Sequence, residues 1–121
     1  MKRCLVIDDS RVIRRVAAKI VQDLGFTVEE AEDGKKALDA CRSRLPDVAL
    51  IDLEMPVMDG HSYLRALRQM PGGEKVVTVI FTADGDPRQM QRALDEGADE
   101  YIMKPFDSEI IHSKFRLLEL L

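Results

Sequence analysis

A chain of 121 residues that is 45% hydrophobic and 33% charged is long enough for one domain with its own core. Its net charge of −4 lacks the cationic surplus that sequence-independent binding to nucleic-acid phosphates requires. Charged residues interrupt every apolar run near the N-terminus, which argues against a signal peptide, and no run has the length of a membrane span.

Cys4-Leu5-Val6-Ile7 is a short apolar run that stops on Asp8-Asp9 and reads as a buried strand. Cys4 and Cys41 have neither metal-ligand spacing nor a disulfide-rich setting, so both read as small buried thiols in a reducing cytoplasm. Ser10 can cap a helix that carries Val12, Ile13, Val16, Ala17, Ile20 and Leu24 on one face and ends at Gly25. Arg11, Arg14, Arg15 and Lys19 fall elsewhere on it and read as a solvated face. Phe26 to Ala31 forms a second strand, and Asp33-Gly34 opens a helix through Ala37, Leu38 and Cys41 that ends before Pro46.

Val48-Ala49-Leu50-Ile51 has no polar alternation, the habit of a strand buried on both faces, and it too stops on an acid, Asp52. Met55-Pro56 takes the chain out of the strand, and Asp59-Gly60 starts a helix that runs to about Met70, where Pro71-Gly72-Gly73 breaks it. Val76 to Phe81 is the most β-prone run and leads into Thr82-Ala83. Asp86-Pro87 starts a helix through Met90, Ala93 and Leu94 to Gly97. Tyr101-Ile102-Met103 is a short last strand before Lys104-Pro105, and Asp107 or Ser108 opens a final helix with Ile111, Phe115 and Leu118 inward. Strand and helix alternate throughout, so the expected fold is a single doubly wound α/β domain over residues 1–121, a five-stranded parallel sheet with helices on both faces.

Parallel strands end on one shared edge, the edge where open α/β sheets bind ligands. That edge collects Asp8, Asp9, Asp52, Thr82 and Lys104. Two carboxylates about 4 Å apart repel by roughly 4 kcal/mol at an effective dielectric near 20. One lysine does not offset three acids, whereas a divalent cation does, and an all-oxygen donor set suits Mg²⁺. Metal binding alone is one reading. Phosphoryl transfer is the other, with a carboxylate as nucleophile and the metal and lysine neutralising the phosphoryl oxygens.

The set Asp8-Asp9, Asp52, Met55-Pro56 with Asp59-Gly60, Thr82-Ala83 and Lys104-Pro105-Phe106 closely resembles the receiver domain of two-component response regulators, across the whole chain. The resemblance implies a flavodoxin-like sheet of strand order 2-1-3-4-5. It implies that Asp52 is the phosphoacceptor, charged from a phosphohistidine of a histidine kinase or histidine phosphotransfer protein. By the same resemblance Asp8, Asp9, Asp52 and the Glu54 backbone carbonyl hold Mg²⁺, Thr82, Ala83 and Lys104 contact the phosphoryl group, and the Lys104–Pro105 peptide is cis. Tyr101 matches the family's switch aromatic, expected to turn inward when Thr82 moves toward the phosphoryl group, with an output surface over residues 86–121. The chain is then a signalling module rather than an enzyme acting on other substrates, cytoplasmic, and a monomer or weak homodimer.

Glu54 and Asp84, two residues after Asp52 and Thr82, are both acidic and are expected to overhang the phosphoryl group and affect its lifetime. His61 and His112 read as surface residues rather than metal ligands. Leu117, Leu118, Leu120 and Leu121 make the end of the last helix apolar nearly all round: a frayed end packed on its own domain, a partner contact, or the join to an output domain. A complete chain of this length has no effector domain and signals by protein contacts; the alternative is the receiver part of a longer regulator. A small Mg²⁺-dependent aspartyl phosphatase is a more distant reading, because such enzymes usually carry an aspartate where Glu54 stands. A degenerate scaffold conflicts with the intact acid set, and a flavin binder with the lack of a glycine-rich loop after the first strand.

Overall fold

The computed structural model describes residues 2–121. Strands β1 (Arg3–Ile7), β2 (Thr27–Ala31), β3 (Val48–Ile51), β4 (Val77–Thr82) and β5 (Glu100–Met103) alternate with helices α1 (Arg11–Asp23), α2 (Gly34–Ser43), α3 (Gly60–Gln69), α4 (Pro87–Asp95) and α5 (Ser108–Leu117). The five strands are all parallel, in the order β2-β1-β3-β4-β5 expected from the sequence. A 3₁₀ turn, Gly73–Lys75, follows α3.

Alternation along each strand divides the core into two layers. Leu5, Ile7, Ala49, Ile51 and Ile80 face α2, α3 and α4, meeting Leu38, Cys41, Tyr63, Leu64 and Leu67. Cys4, Val6, Val48, Leu50, Val79 and Phe81 face α1 and α5, meeting Val21, Ile111 and Phe115. β3, the central strand, is buried at all four positions, which is why its sequence lacks polar alternation. β2 is an edge strand, and Glu29 and Glu30 occupy it without loss because both are exposed.

Each helix begins at a side-chain cap of the type the sequence supplies: Ser10, Asp33, Asp59, Asp86 and Asp107 each accept a backbone N–H of the first turn. Gly25, with φ of +98°, ends the α1 segment in the left-handed region that a side chain resists. Gly60 serves closeness rather than φ. A Cβ there would meet the Asp52 carbonyl oxygen at 2.4 Å, so only glycine lets α3 start against the end of β3.

One sequence expectation about packing is corrected, and one about the last helix is met. On α1, Val12 and Val16 are exposed, 70% and 46%, and the buried side chains are Ala17, Ala18 and Val21. The apolar residues of this helix cover more than one face, and the sheet takes the strip through Ala17 and Val21, leaving Val12 and Val16 to solvent. At the C-terminus Leu120 is buried and Leu118 packs partly against the core, whereas Leu117 and Leu121 are exposed, so the helix end buries only some of its leucines.

Candidate functional site

The hydrogen-bond ladder runs one residue past the strands, and those extra bonds place the acids. The Asp8 N–H donates to the Ala31 carbonyl at 3.1 Å, the Asp52 N–H to the Ile7 carbonyl at 2.9 Å, and the Lys104 N–H to the Thr82 carbonyl at 2.8 Å. Asp8, Asp52, Thr82 and Lys104 are therefore fixed by main-chain bonds before any side chain acts. Asp8 and Asp52 are buried and Asp9 is exposed. One carboxylate oxygen from each of the three lies within 4.8 Å of the others.

Lys104 reaches this cluster from the other side of the sheet edge. Its Nζ donates to Asp8 Oδ2 at 2.6 Å and lies 3.7 Å from Asp52 Oδ2. The ammonium also stands 4.9 Å from the centre of the Phe81 ring, which Phe106 supports from 4.5 Å. The Lys104–Pro105 peptide is cis, as expected from the resemblance. The Ser10 N–H donates to Asp8 Oδ1 at 2.9 Å, and the Glu54 N–H to Asp52 Oδ1 at 3.3 Å.

Those donors leave the site short of positive charge. Burial pushes the Asp52 carboxyl up to about 6; Lys104 and the Glu54 N–H oppose the rise, while Asp8 and Asp9 add to it. Burial disfavours the charged form of this carboxylate, and an added cation would stabilise it. Three carboxylates converging on one point, with oxygen donors only, fit a hard divalent ion such as Mg²⁺.

Thr82 ends β4 with its hydroxyl accepting the Asp84 N–H at 3.0 Å, which leaves the hydroxyl proton free to be donated. Ala83 is exposed, Glu54 is exposed at the rim, and Asp84 is half-buried with Oδ1 accepting the Asp86 N–H at 2.9 Å. Tyr101 lies on β5, 39% exposed as a residue, with its ring centre 5.3 Å from Lys114 Nζ, so this structure holds it outward.

Asp8, Asp9, Asp52 and Lys104 thus converge, with Thr82 on the adjoining strand end bonded to the Lys104 main chain and Tyr101 apart on the surface of β5. One candidate is misplaced by sequence reasoning. His61 is 4% exposed, not a surface residue; its Nδ1 bonds Glu96 Oε1 and its Nε2 lies 2.9 Å from Gln89 Oε1. A histidine directly after a helix-opening glycine gives no sign of a partner 35 residues away. Arg14 also departs from the solvated face assigned to it. It donates to the Asp8 carbonyl at 2.7 Å and to Glu30 at 3.3 Å, bracing the loop that carries the acid pair. His112 is exposed as expected.

The family described as response regulator receiver domain matches residues 4–116. The chain belongs to that receiver family. Among curated relatives of this receiver, the response regulator MprA of Mycolicibacterium vanbaalenii is 36% identical over 116 residues, 96% of this chain and 49% of that protein. A gliding motility regulatory protein of Myxococcus xanthus is 36% identical over 102 residues, 84% of this chain and 13% of that one. The receiver therefore spans about half or less of the length of these relatives. Among solved structures, the chemotaxis protein CheY4 of Vibrio cholerae superposes with a TM-score of 0.92 at 31% identity, covering 97% of this chain and 98% of its own. A CheY-like receiver domain protein from Methanospirillum hungatei gives 0.89 at 26% identity, covering 98% and 93%. Among the described residues no helix is long and apolar enough to cross a membrane.

Proposed function

We propose that this receiver takes a phosphoryl group onto Asp52 in the presence of Mg²⁺ and reports it through altered protein contacts. The observation that carries this reading is the placement of Lys104 Nζ at 2.6 Å from Asp8 and 3.7 Å from Asp52, within a three-carboxylate cluster that one lysine cannot neutralise. An Asp52 oxygen attacks the phosphorus of a phosphohistidine; the phosphorus–nitrogen bond breaks, its electron pair returns to the imidazole, and an acyl phosphate forms on Asp52. Asp8, Asp9, Asp52 and the Glu54 carbonyl are the groups that would hold the metal, which supplies charge neutralisation to the transferring oxygens. Lys104 neutralises a further oxygen. The Thr82 hydroxyl, with the backbone beside Ala83, binds a phosphoryl oxygen. The donor is a histidine kinase or histidine phosphotransfer protein, and the reporting surface is the face built from residues 86–121. Outside its own phosphorylation and dephosphorylation the chain has no proposed catalytic activity.

The test is incubation with Mg²⁺ and a small phosphodonor. The expected product is one acid-stable, base-labile phosphoryl group per chain, absent in Asp52→Asn and absent with a chelator. Repeated turnover of the donor, or of other phosphomonoesters, would instead favour an aspartyl phosphatase. A second reading, the receiver part of a longer response regulator, is favoured by MprA, of which the matched region is 49%. CheY4, covered over 98% of its chain, favours the stand-alone form. Immunoblotting of the native protein against this chain as size standard separates them.

A further inference from the structure

Helix α4 is held to the domain by few apolar contacts. Ala93 is its one fully buried side chain, and Leu94 and Arg88 point to solvent. A helix so thinly packed depends on its polar bonds to stay in place. Those bonds converge on α3. His61, at the start of α3, bonds Gln89 in the first turn of α4 and Glu96, the C-cap residue just past its last turn, so one imidazole ties both ends of the helix. Arg65, one turn further along α3, also bonds Glu96, and Arg92 approaches the same carboxylate at 3.5 Å. Glu96 has a side-chain exposure of only 12%, so this is a desolvated carboxylate collecting three cationic or donor groups.

The other end of α4 is wired to Thr82. The Thr82 hydroxyl accepts from the Asp84 N–H, Asp84 accepts from the Asp86 N–H, and Asp86 accepts from the Arg88 N–H as the cap of α4. Any motion of Thr82 toward a group on Asp52 pulls this chain of bonds and is resisted where His61 grips α4. His61, Gln89 and Arg92 also wall a cavity of about 350 Å³ whose remaining polar lining includes Glu54 and Asp84, the two acids at the rim of the phosphoryl pocket.

We infer that His61 is a positioning residue that clamps α4 in the position seen here, through Gln89 and Glu96, and so sets how readily the Asp52 site accepts a phosphoryl group. The inference rests on the proposed role of Asp52. Because the clamp's bonds favour one position of α4, weakening them shifts the population toward the other and raises affinity for whatever prefers it.

The test uses the full chain with beryllofluoride and Mg²⁺ as the phosphoryl analogue, in His61→Leu and in the milder Gln89→Met, which removes one arm of the clamp at a half-buried position. Hydrogen exchange is measured first, without analogue. Amides of α4 are expected to exchange about tenfold faster in His61→Leu, with those of β3 and β4 unchanged. The dissociation constant for beryllofluoride is expected to fall about fivefold in His61→Leu and by a smaller factor in Gln89→Met. A double-mutant cycle of His61→Leu with Glu96→Gln is expected to be non-additive in that constant, which a merely destabilising substitution would not produce. Unchanged protection of α4, protection lost equally across the sheet, or an unchanged dissociation constant in both variants overturns the inference. If the wild-type chain itself fails to bind beryllofluoride, the phosphoacceptor reading falls, and the exchange measurement still decides whether His61 holds α4.

Discussion

Asp52 is 7% exposed and shares its pocket with Asp8 and Asp9, and among the described residues Lys104 alone pairs with them as a cation. Its folded pKa of about 6 exceeds its ordinary value of 3.8, so the folded chain binds this proton more tightly than the unfolded one. The metal-free protein therefore loses stability as pH rises from about 4 to about 6 through this group and stays level above that. Asp52→Asn removes the ionisation. In chelator at pH 8 its urea midpoint is expected to exceed that of the wild type by the equivalent of on the order of 1 kcal/mol, after screening at the solvent-facing mouth. At pH 4.5, where Asp52 is mostly protonated, the advantage shrinks; an equal advantage at both values would contradict the electrostatic account. Glu54 is exposed at the rim, and on the proposed function it puts charge where water would approach the phosphoryl group. Glu54→Gln is expected to slow dephosphorylation about threefold with no change in unfolding midpoint. An identical decay of the acyl phosphate would discard that role.

Elements show which parts of the fold were legible in the sequence. Every strand that carries a site residue was readable, because an apolar run ending in a chemically loaded residue is a local pattern: Ile7 before Asp8, Ile51 before Asp52, Phe81 before Thr82, Met103 before Lys104. The helix starts were readable for the same reason, since a cap and its first turn lie within four residues. Hidden from that reading were the polar ties made by particular cations and the histidine, His61 to Glu96 and Arg14 to the Asp8 carbonyl, and the choice of which apolar strip of α1 faces the sheet. Charged residues look alike in sequence whether solvated or gripping a carbonyl. Arg68 is the extreme case. From the last turn of α3 its guanidinium donates to the carbonyls of Gly73 and Val76 at 2.8 and 2.7 Å, to Gly97, and to Thr78 Oγ1. It thereby joins the 3₁₀ turn, the start of β4 and the loop after α4. Arg68→Leu leaves the Val76 carbonyl without its guanidinium donor, and leaves Gly73 with only the Val76 N–H and Gly97 with only the Thr78 hydroxyl. It is expected to cost about 1–3 kcal/mol in urea unfolding, while leaving phosphoryl uptake at Asp52 intact in the folded fraction. A loss below about 0.5 kcal/mol would mean that water replaces the guanidinium.

Across the whole molecule, the proposed signal has to travel from the Asp52 edge to the face formed by α4, β5 and α5. Tyr101 marks the receiving end. Its ring borders a groove of about 400 Å³ shared with Pro87, Met90, Leu94 and Met103, and Lys114, itself paired with Glu100 at 3.4 Å, covers it from α5. On the proposed function, Thr82 shifts toward the phosphoryl group and the half-exposed Tyr101 ring turns inward into the space it leaves. Moving inward takes Tyr101 out of the wall of the groove and away from Lys114, so a partner docked on this face meets a different surface. The composition makes this measurable. The chain has no tryptophan and two tyrosines, and the second, Tyr63, is fully buried beside Cys41 Sγ at 3.3 Å. In a Tyr63→Phe background the tyrosine emission comes from Tyr101 alone. Adding Mg²⁺ and beryllofluoride is expected to lower its quenching by acrylamide about twofold as the ring leaves solvent, with no change when Asp52→Asn is also present. Quenching that stays constant while the analogue binds would show that Tyr101 keeps its outward position in both states, and the output would then have to pass through α4 alone.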